Sequence, residues 1–486
     1  MTILTSTSSI SLENRVLGGW WGKSAGGTLG LPAEGRTERQ HYSFYDPVPE
    51  VVPPNDDLEL QLVWLDRMEK HRGPLTVETM ADAWLSHIHY MWDEYGRCRW
   101  NLRRGVPAAL AGVFENPFAS SMGSPIRSEI WAIVAAGNVD LAEKFARLDA
   151  MLDHGAEGIA GEVFFTVLQT LVLSGVPLED ALKEALTRTD VATETRHGLD
   201  LILALHRKGT ECWAAHEALL RAHRHENFTH APLNVALTLW ALLYGDGDFG
   251  ETILLGVNGG YDTDCTAATA GATLGFLYGA HRLPKKWTVP LGDGIAIGEG
   301  IIGIDAPTTL GQLTERSLAL RARAAELTPL LPEKPEQVPA LASLPGTISI
   351  AGGNARIAWS NGELPPEIKA EGKAAWEWTP GADIGKPFRL SALAREGARL
   401  WIDGKLLIDC PARLPFVPAT HRCPHESAAV FTPSKDSYEI RVELNSANPW
   451  QEASILLADA ALHIAPWNGE ALPHRAHVSD QLKVGQ

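Results

Sequence analysis

The sequence predicts a mainly helical protein with an all-β domain toward its C-terminal end. Apolar residues recur at helical spacing through most of residues 12–326. Five prolines between positions 329 and 345 then exclude a helix and indicate a semi-rigid linker. Beyond them apolar and polar residues alternate, which is the strand period. We therefore expect a helical domain over residues 12–326, a proline-rich linker over 327–345 and a β-sandwich over 346–470.

Composition and charge exclude several classes of protein. Of the 486 residues, 45% are hydrophobic, which is enough for packed cores in more than one domain. The net charge is −17, and because an acidic surface repels phosphate backbones, we expect no nucleic-acid partner. The five cysteines have no C-x-x-C spacing and do not indicate a disulfide framework. Residues 1–14 lack a signal-peptide pattern and no run of roughly 18 apolar residues occurs, so we expect no membrane span and a cytoplasmic location.

The first predicted helix covers residues 15–35 and contains six glycines between positions 18 and 30. Glycine is a poor helix former, so a helix of this kind is typical of a crowded centre or of a surface under a ligand. Pro32 marks its end, and Glu34 follows. Glu34 is either a solvated loop carboxylate, as most glutamates are, or part of a site.

Two adjacent carboxylates, Asp56 and Asp57, open the next predicted helix over residues 56–70, directly after Asn55. Leu58, Leu62 and Leu65 would share its buried face. Neighbouring carboxylates repel each other, and a divalent cation would relieve that repulsion. Hard oxygen ligands favour Mg²⁺ or Mn²⁺ over Zn²⁺.

A second carboxylate pair lies about 200 residues further on, in a glycine-rich turn before a helix of small residues. Gly260 can take positive φ and let the backbone approach a ligand, and Tyr261 follows it. Asp262, Asp264 and Cys265 then place two carboxylates and a thiol within one turn. A capped buried helix is the alternative interpretation, since Asp is an ordinary N-cap. A helix N-terminus disfavours a cation, but four carboxylates outweigh two half-charges.

The remaining patterns are less specific. Further helices are predicted over residues 76–95, 159–245 and 308–326. The small-residue turn Ser121-Met122-Gly123-Ser124 is either a backbone nest for phosphate or a plain connection. Asp403-Gly404 between two apolar runs predicts a β-hairpin. The sequence around that hairpin is similar to the PA14 family of β-sandwich modules.

Three motifs together resemble the ADP-ribosylglycohydrolases, also called ADP-ribosylhydrolases. They are Gly22 to Glu34, Asn55 to Leu58, and Asp262 to Cys265, in the family's order. The resemblance covers about residues 12–325 and implies an all-helical domain with one or two Mg²⁺ or Mn²⁺ ions. It implies cleavage of an N- or O-ribosyl bond in a small-molecule or protein-linked substrate, and leaves the oligomeric state open.

The resemblance also implies roles for particular residues. The implied metal ligands are Asn55, Asp56, Asp57, Asp262, Asp264 and Cys265, and the implied catalytic residues are Glu34, Asp56 and Asp264. The implied substrate-binding residues are Ser121, Met122, Gly123, Ser124, His154, Gly260 and Tyr261. For His154, a structural hydrogen-bonding role is an equal alternative.

The chain departs from the family pattern at several of these positions. Gly27 stands where the family usually has Asp, and Asn55, Leu58 and Cys265 stand where it has Thr. Because a thiol is a poor Mg²⁺ ligand, the second ion would be weak, absent, or served by the neighbouring Thr266. Three alternatives stay open: a hydrolase of another sugar or nucleoside assisted by the β-domain, a non-catalytic binding protein on the same fold, and a metal-free two-carboxylate glycosidase.

Overall fold

The computed structural model describes most of the N-terminal two thirds of the chain and parts of the remainder. The described residues are 10–49, 51–90, 93–103, 105–114, 116–298, 300–332, 347–350, 356–357, 373–378, 380, 384–385, 387–394, 396–412, 427–445 and 453–459.

The N-terminal part is helical throughout its described residues. Its helices are α1 Leu12–Gly30, α2 Asp56–Lys70, α3 Val77–His87, α4 Asp93–Arg103, α5 Ala108–Ala111, α6 Ser128–Val134, α7 Val139–Asp153, α8 Ala156–Leu173, α9 Leu178–Arg188, α10 Glu194–Arg207, α11 Cys212–His223, α12 Ala231–Tyr244, α13 Phe249–Asn258, α14 Thr263–Tyr278, α15 Lys285–Thr288 and α16 Leu310–Arg321. The predicted mainly helical fold is confirmed.

Helices α1 and α14 form the centre of the helical part and run antiparallel. Gly18 lies against the backbone of Gly275, and Gly26 lies against that of Ala267. A β-carbon at Gly18 or Gly26 would overlap the facing main chain, so the two helix axes approach more closely than side chains allow. The glycines of α1 therefore allow close helix packing at the centre of the helical part, as predicted.

One predicted helix is wrong in its extent. The helix predicted over residues 76–95 is two helices, α3 and α4, because the chain between them pairs with a later loop. Ile88 forms an antiparallel bridge with Ile301, and the His89 N–H donates to the Gly300 carbonyl at 2.7 Å. The sequence around residue 88 carries a helical pattern, and only the distant partner reveals the break.

The β-region contains two antiparallel sheets among the described residues. The strands are β1 Thr347–Ile350, β2 Arg356–Ile357, β3 Lys373–Trp378, β4 Phe388–Ala394, β5 Ala398–Ile402, β6 Lys405–Cys410, β7 Ala428–Phe431, β8 Tyr438–Leu444 and β9 Ala453–Asp459. One sheet has the order β2-β1-β9-β4-β7 and the other β3-β8-β5-β6, and β4 contacts β5 and β6 across the two sheets. The predicted hairpin joins β5 to β6, with φ of 48° at Asp403 and 73° at Gly404.

The predicted linker has two parts. Residues 333–346 lie outside the described residues. The preceding residues belong to the helical part, because the Leu330 N–H donates to the Leu75 carbonyl at 2.9 Å. The domain boundaries themselves stay a prediction.

Helix α8 is long and apolar enough to cross a bilayer by length and composition alone. However, 78% of this window is buried inside the protein, as in the core helix of a folded domain. Its burial is supplied by α6, α7 and α12, which pack against it.

Candidate functional site

The N-terminus of α2 places the first carboxylates. Asn55 caps this helix, since its Oδ1 accepts the Asp57 N–H at 2.7 Å. The Asn55 amide also donates from Nδ2 to Asp264 Oδ2 at 3.2 Å, which ties the start of α2 to the start of α14. Asp56 and Asp57 are both buried. Two motifs about 200 residues apart in sequence therefore meet at two helix N-termini.

The turn before α14 places the second carboxylates. Gly260 and Tyr261 both take left-handed backbone, with φ of 76° and 68°. A left-handed conformation strains a non-glycine residue, so something must hold Tyr261 in place. The Tyr261 N–H donates to the Arg36 carbonyl at 2.7 Å, and the Gly35 N–H donates to the Tyr261 carbonyl at 2.9 Å. This pairing brings Glu34, at the end of α1, beside the α14 N-terminus.

The side chain of Asp262 does not cap α14, although the residue occupies the N-cap position. Its carboxylate instead joins those of Glu34 and Asp264, with one oxygen of each residue within 4.8 Å of the others. The capped-helix alternative for this stretch therefore does not account for Asp262.

A second group of possible ligands shares Asp264 with the first. Asp57 Oδ, Asp264 Oδ and Cys265 Sγ also lie within 4.8 Å of one another, and all three residues are buried. The structure thus assembles two adjacent groups of possible ligand atoms around Asp264. Asp56 opens α2 next to Asp57 but belongs to neither group.

Burial and mutual repulsion shift the acid–base behaviour of this cluster. Burial, opposed by Lys23 and reinforced by Asp264, raises the pKa of Asp57 to about 8. Burial and the neighbouring Asp264 also raise the pKa of Asp262 well above its usual range. Burial and Asp262 hold the pKa of the Cys265 thiol well above 9, so the sulfur stays protonated near neutral pH. A bound cation would stabilise the charged form of these clustered carboxylates.

The residues present fit a hard divalent ion. Asp57 Oδ2 is buried and accepts no hydrogen bond within the described residues. Asp57 belongs to the group around Asp264. Glu34, Asp262 and Asp264 supply three carboxylates, which are the ligands that Mg²⁺ and Mn²⁺ prefer. Cys265 fits such an ion poorly, because a protonated thiol is a soft and weak ligand.

Two neighbouring positions, Leu58 and Thr266, make other contacts in the fold. Leu58 belongs to the hydrophobic core and offers no ligand atom. Thr266 donates its hydroxyl to the Asp262 carbonyl one turn back, and its role as a substitute ligand for Cys265 stays a prediction.

The turn predicted to bind substrate lies close to this cluster in the fold. Ser121, Met122 and Ser124 are fully buried, and Asn227 Nδ2 donates to Ser121 Oγ at 3.1 Å. Gly123 packs against Glu94 and Tyr95, where a β-carbon would overlap both side chains. The structure neither shows nor contradicts the predicted role of this turn.

Arg127 stabilises the same turn by contacts within the protein. Its guanidinium pairs with Asp149 and Asp153 at 2.8–3.1 Å and donates to the Gly123 carbonyl at 2.8 Å. Because all of these partners are buried, Arg127 holds the turn in place and does not face a ligand.

His154 follows directly after α7 and is 1% exposed. Its Nδ1 lies 2.9 Å from Asp153 Oδ1, and its Nε2 lies 3.6 Å from Glu94 Oε1. Burial would lower the pKa of His154, but Asp153 and Glu94 raise it to about 9, so the ring carries a positive charge. His154 therefore lies between a carboxylate of α4 and a carboxylate of α7, and its role in substrate binding stays a prediction.

Sequence reasoning missed several residues around the cluster. Lys23 Nζ lies 3.2 Å from both Asp57 Oδ1 and Glu129 Oε2, and all three groups are buried. Tyr95 is buried near Asp56, whose charge adds to burial in raising the pKa of the phenol. The only sequence signal for these contacts is the position of Lys23 inside a stretch of small and apolar residues. That position does not reveal which residues Lys23 contacts.

Arg99 lies on α4, in a segment that is rich in arginine. It is buried and donates to the carbonyls of Leu85 and Ile88 at 2.8–2.9 Å, at the C-terminal end of α3. It therefore caps a helix, which explains its burial without a ligand.

A helical domain with paired carboxylates at two helix starts offers ligand groups for a metal ion, and comparison with known proteins gives the family. The chain belongs to the ADP-ribosylglycohydrolase family, whose model matches residues 8–326. Membership supports a glycohydrolase-type function, since the family consists generally of hydrolases that are typically metal-dependent.

Two more distant likenesses accompany this match. An uncharacterized protein of Archaeoglobus fulgidus is 24% identical over 294 residues, which is 56% of this chain and 90% of that protein. A solved structure described as an ADP-ribosylglycohydrolase-related protein complex is 21% identical with a TM-score of 0.45, and the match covers 64% of this chain and 99% of that one.

Proposed function

We propose that this chain is a divalent-metal-dependent hydrolase of N- or O-ribosyl bonds, of the ADP-ribosylglycohydrolase type. The observation that carries the proposal is the group of Glu34, Asp262 and Asp264, gathered from two parts of the chain and buried together. Such a concentration of carboxylates costs stability unless a cation or a proton compensates it. Mg²⁺ or Mn²⁺ is the cofactor that this chemistry favours.

In this proposal the chain's own residues hold and orient the reactants. Asp264 is central because it belongs to both ligand groups, and Asp57 and Asp262 complete them. A divalent ion held there would supply positive charge for binding sugar hydroxyls and for lowering the pKa of water. Glu34 is positioned to move the proton, since the pairing of Gly35 with Tyr261 fixes its backbone beside Asp262.

The substrate is the less defined part of the proposal. The family resemblance favours ADP-ribose linked to a small molecule or to a protein, bound near the Ser121–Ser124 turn. A second candidate, another glycoside or nucleoside, is favoured by Asn55, whose amide Nδ2 faces Asp264 where the family has a hydroxyl. We further propose that the chain has no nucleic-acid partner, on the basis of the net charge of −17. We also propose a cytoplasmic location, which the five cysteines without a disulfide pattern favour.

The test is release of ADP-ribose from a mono-ADP-ribosylated peptide, measured by chromatography with Mg²⁺, with Mn²⁺ and with a chelator. We expect release that needs the metal and that falls by roughly 100-fold or more in Glu34→Gln, the scale of lost general acid–base catalysis. Asp82→Asn is the matched control, because that carboxylate is 75% exposed and pairs only loosely with Arg67 at 3.6 Å.

Other outcomes separate the alternatives. Release of a plain sugar or a nucleobase from a different glycoside would contradict the proposed substrate class and would leave the proposed mechanism unchanged. Activity unaffected by chelation would contradict the metal role and favour two-carboxylate chemistry without metal. Inactivity on every glycoside, with no metal bound, would favour a binding protein.

A further inference from the structure

Lys23 places a positive charge inside the candidate metal cluster. Its Nζ donates to the Ile126 carbonyl at 2.7 Å and lies 3.2 Å from Asp57 Oδ1 and from Glu129 Oε2. The side chain is 1% exposed, so water does not screen these contacts. Three acceptors match the three N–H groups of an ammonium, which fixes the charge in one position.

The position of this charge is set by the backbone of α1. Gly22 and Gly26, on either side of Lys23, lie against the main chain of α14 and allow no sideways shift. Glu129 is held separately, since Gln61 Nε2 donates to its Oε2 at 2.8 Å. Lys23 is therefore a fixed charge, and Asp57 is the partner that connects it to the cluster.

The ligand group that includes Asp57 has two carboxylates, those of Asp57 and Asp264. Its third member is the thiol of Cys265, and the Asn55 amide presents Nδ2, a donor, to Asp264. Gly27 lies beside Asn55 and offers no ligand atom. The space there does not exclude a side chain, because a β-carbon at Gly27 would lie 3.5 Å from Asn55 Nδ2, an ordinary contact distance. By contrast, the side formed by Glu34, Asp262 and Asp264 consists of carboxylates only.

We propose that Lys23 supplies, beside Asp57, the positive charge that a second divalent ion would otherwise supply, so that the chain binds one ion, held by Asp262 and Asp264 beside Glu34. The inference rests on the proposed function, because it concerns the same metal site. Lys23 acts here as a positioning residue: it neutralises and orients Asp57 and does not contact the ion. If two divalent ions were bound, they and the Lys23 ammonium would together place three cations around Asp57 and Asp264.

The experiment counts bound Mn²⁺ by equilibrium dialysis at millimolar Mn²⁺, with metal and protein quantified separately. We expect one ion per chain in the wild-type protein and in Lys23→Arg, which keeps the charge. Lys23→Met removes the charge at similar length and should take up a second ion. Lys183→Met is the matched control, because Lys183 is 55% exposed and pairs only with surface carboxylates, so its count should stay at one.

A count of two ions in the wild-type protein would overturn this inference and leave the proposed metal dependence intact. A count of one in a folded Lys23→Met would overturn it as well, since a merely structural lysine would not change the count. If Lys23→Met does not fold, the electron paramagnetic resonance spectrum of the wild-type protein decides: the hyperfine pattern of an isolated Mn²⁺ supports the inference, and a spin-coupled pair contradicts it. No bound ion at all would refute the metal dependence itself, and the inference with it.

Discussion

Asp264 is the residue on which both ligand groups depend, and Cys265 is where the chain departs most from its family. The thiol lies with Asp57 and Asp264, yet burial and Asp262 keep its pKa well above 9. A protonated thiol in this position behaves as a small apolar group and not as a ligand for a hard ion. The sulfur should therefore be replaceable by oxygen.

Cys265→Thr should keep or strengthen Mg²⁺ binding, measured by calorimetry, because it adds a hard oxygen beside Asp264. Cys265→Ser should behave in the same way. Loss of activity in both variants, with the helical circular dichroism spectrum unchanged, would mean that the sulfur itself is required. A softer metal, or a chemical role of the thiol, would then replace the Mg²⁺ account.

His154 gives a prediction that depends on pH. Because Asp153 and Glu94 raise its pKa from 6.5 to about 9, the folded state holds a proton that the unfolded state releases. The resulting stabilisation is complete below pH 6.5 and is lost as the pH rises through about 9. A shift of this size corresponds to about 3 kcal/mol at ~1.4 kcal/mol per pH unit.

His154→Gln should therefore be less stable than the wild-type protein at pH 6, and the difference should shrink by up to about 3 kcal/mol toward pH 9.5. Urea unfolding at both pH values measures it. A difference that does not vary with pH would show that His154 is neutral in the folded protein.

At the residue scale, the sequence indicates the carboxylates but not their surroundings. Asp56, Asp57, Asp262 and Asp264 stand in short local patterns, so their roles could be predicted from neighbours in sequence. The pairing of Lys23 with Asp57 and Glu129 joins α1, α2 and α6, and no local pattern encodes it.

At the scale of elements, the packing of α1 against α14 positions the site. Glu34 follows the end of α1, and Asp264 lies in the first turn of α14, so their separation depends on how closely these helices approach. At Gly22 a β-carbon would overlap the Gly271 carbonyl oxygen. The glycines cost helix propensity, and close contact between the two backbones offsets that cost.

Gly22→Ala should destabilise the protein by about 1–3 kcal/mol, the usual range for overpacking, and should weaken metal binding as the two helices separate. Thermal unfolding and calorimetry measure the two effects. Gly311→Ala on the exposed face of α16 is the control, and it should stabilise slightly, by up to ~1 kcal/mol, because alanine favours a helix. Equal effects at the two positions would contradict the close-packing account.

The element predictions succeeded where the signal is local and failed where it is not. The helix predicted over residues 308–326 is α16, and its N-cap is Thr309, whose side chain accepts the Gln312 N–H at 3.2 Å. The break between α3 and α4 depends instead on pairing with residues 300–302, more than 200 positions away. Helical spacing alone could not reveal that pairing.

At the scale of the whole molecule, the helical and β-regions differ in both sequence period and architecture. Because the β-region forms its own two-sheet arrangement, we predict that it folds independently of the helical part. A fragment beginning near Gly346 should show a β-type circular dichroism spectrum and a cooperative thermal transition. An unfolded fragment would mean that this region needs the helical part for its stability.

The most direct test of the metal site is anomalous diffraction from crystals soaked in Mn²⁺, recorded at the manganese absorption edge. We predict an anomalous peak among the carboxylates of Glu34, Asp262 and Asp264, coordinated by oxygens of Asp262 and Asp264. The peak should be absent from crystals of Asp264→Asn that retain the same fold. A soaked wild-type crystal without a peak at these three carboxylates, or a peak that survives in Asp264→Asn, would contradict the account.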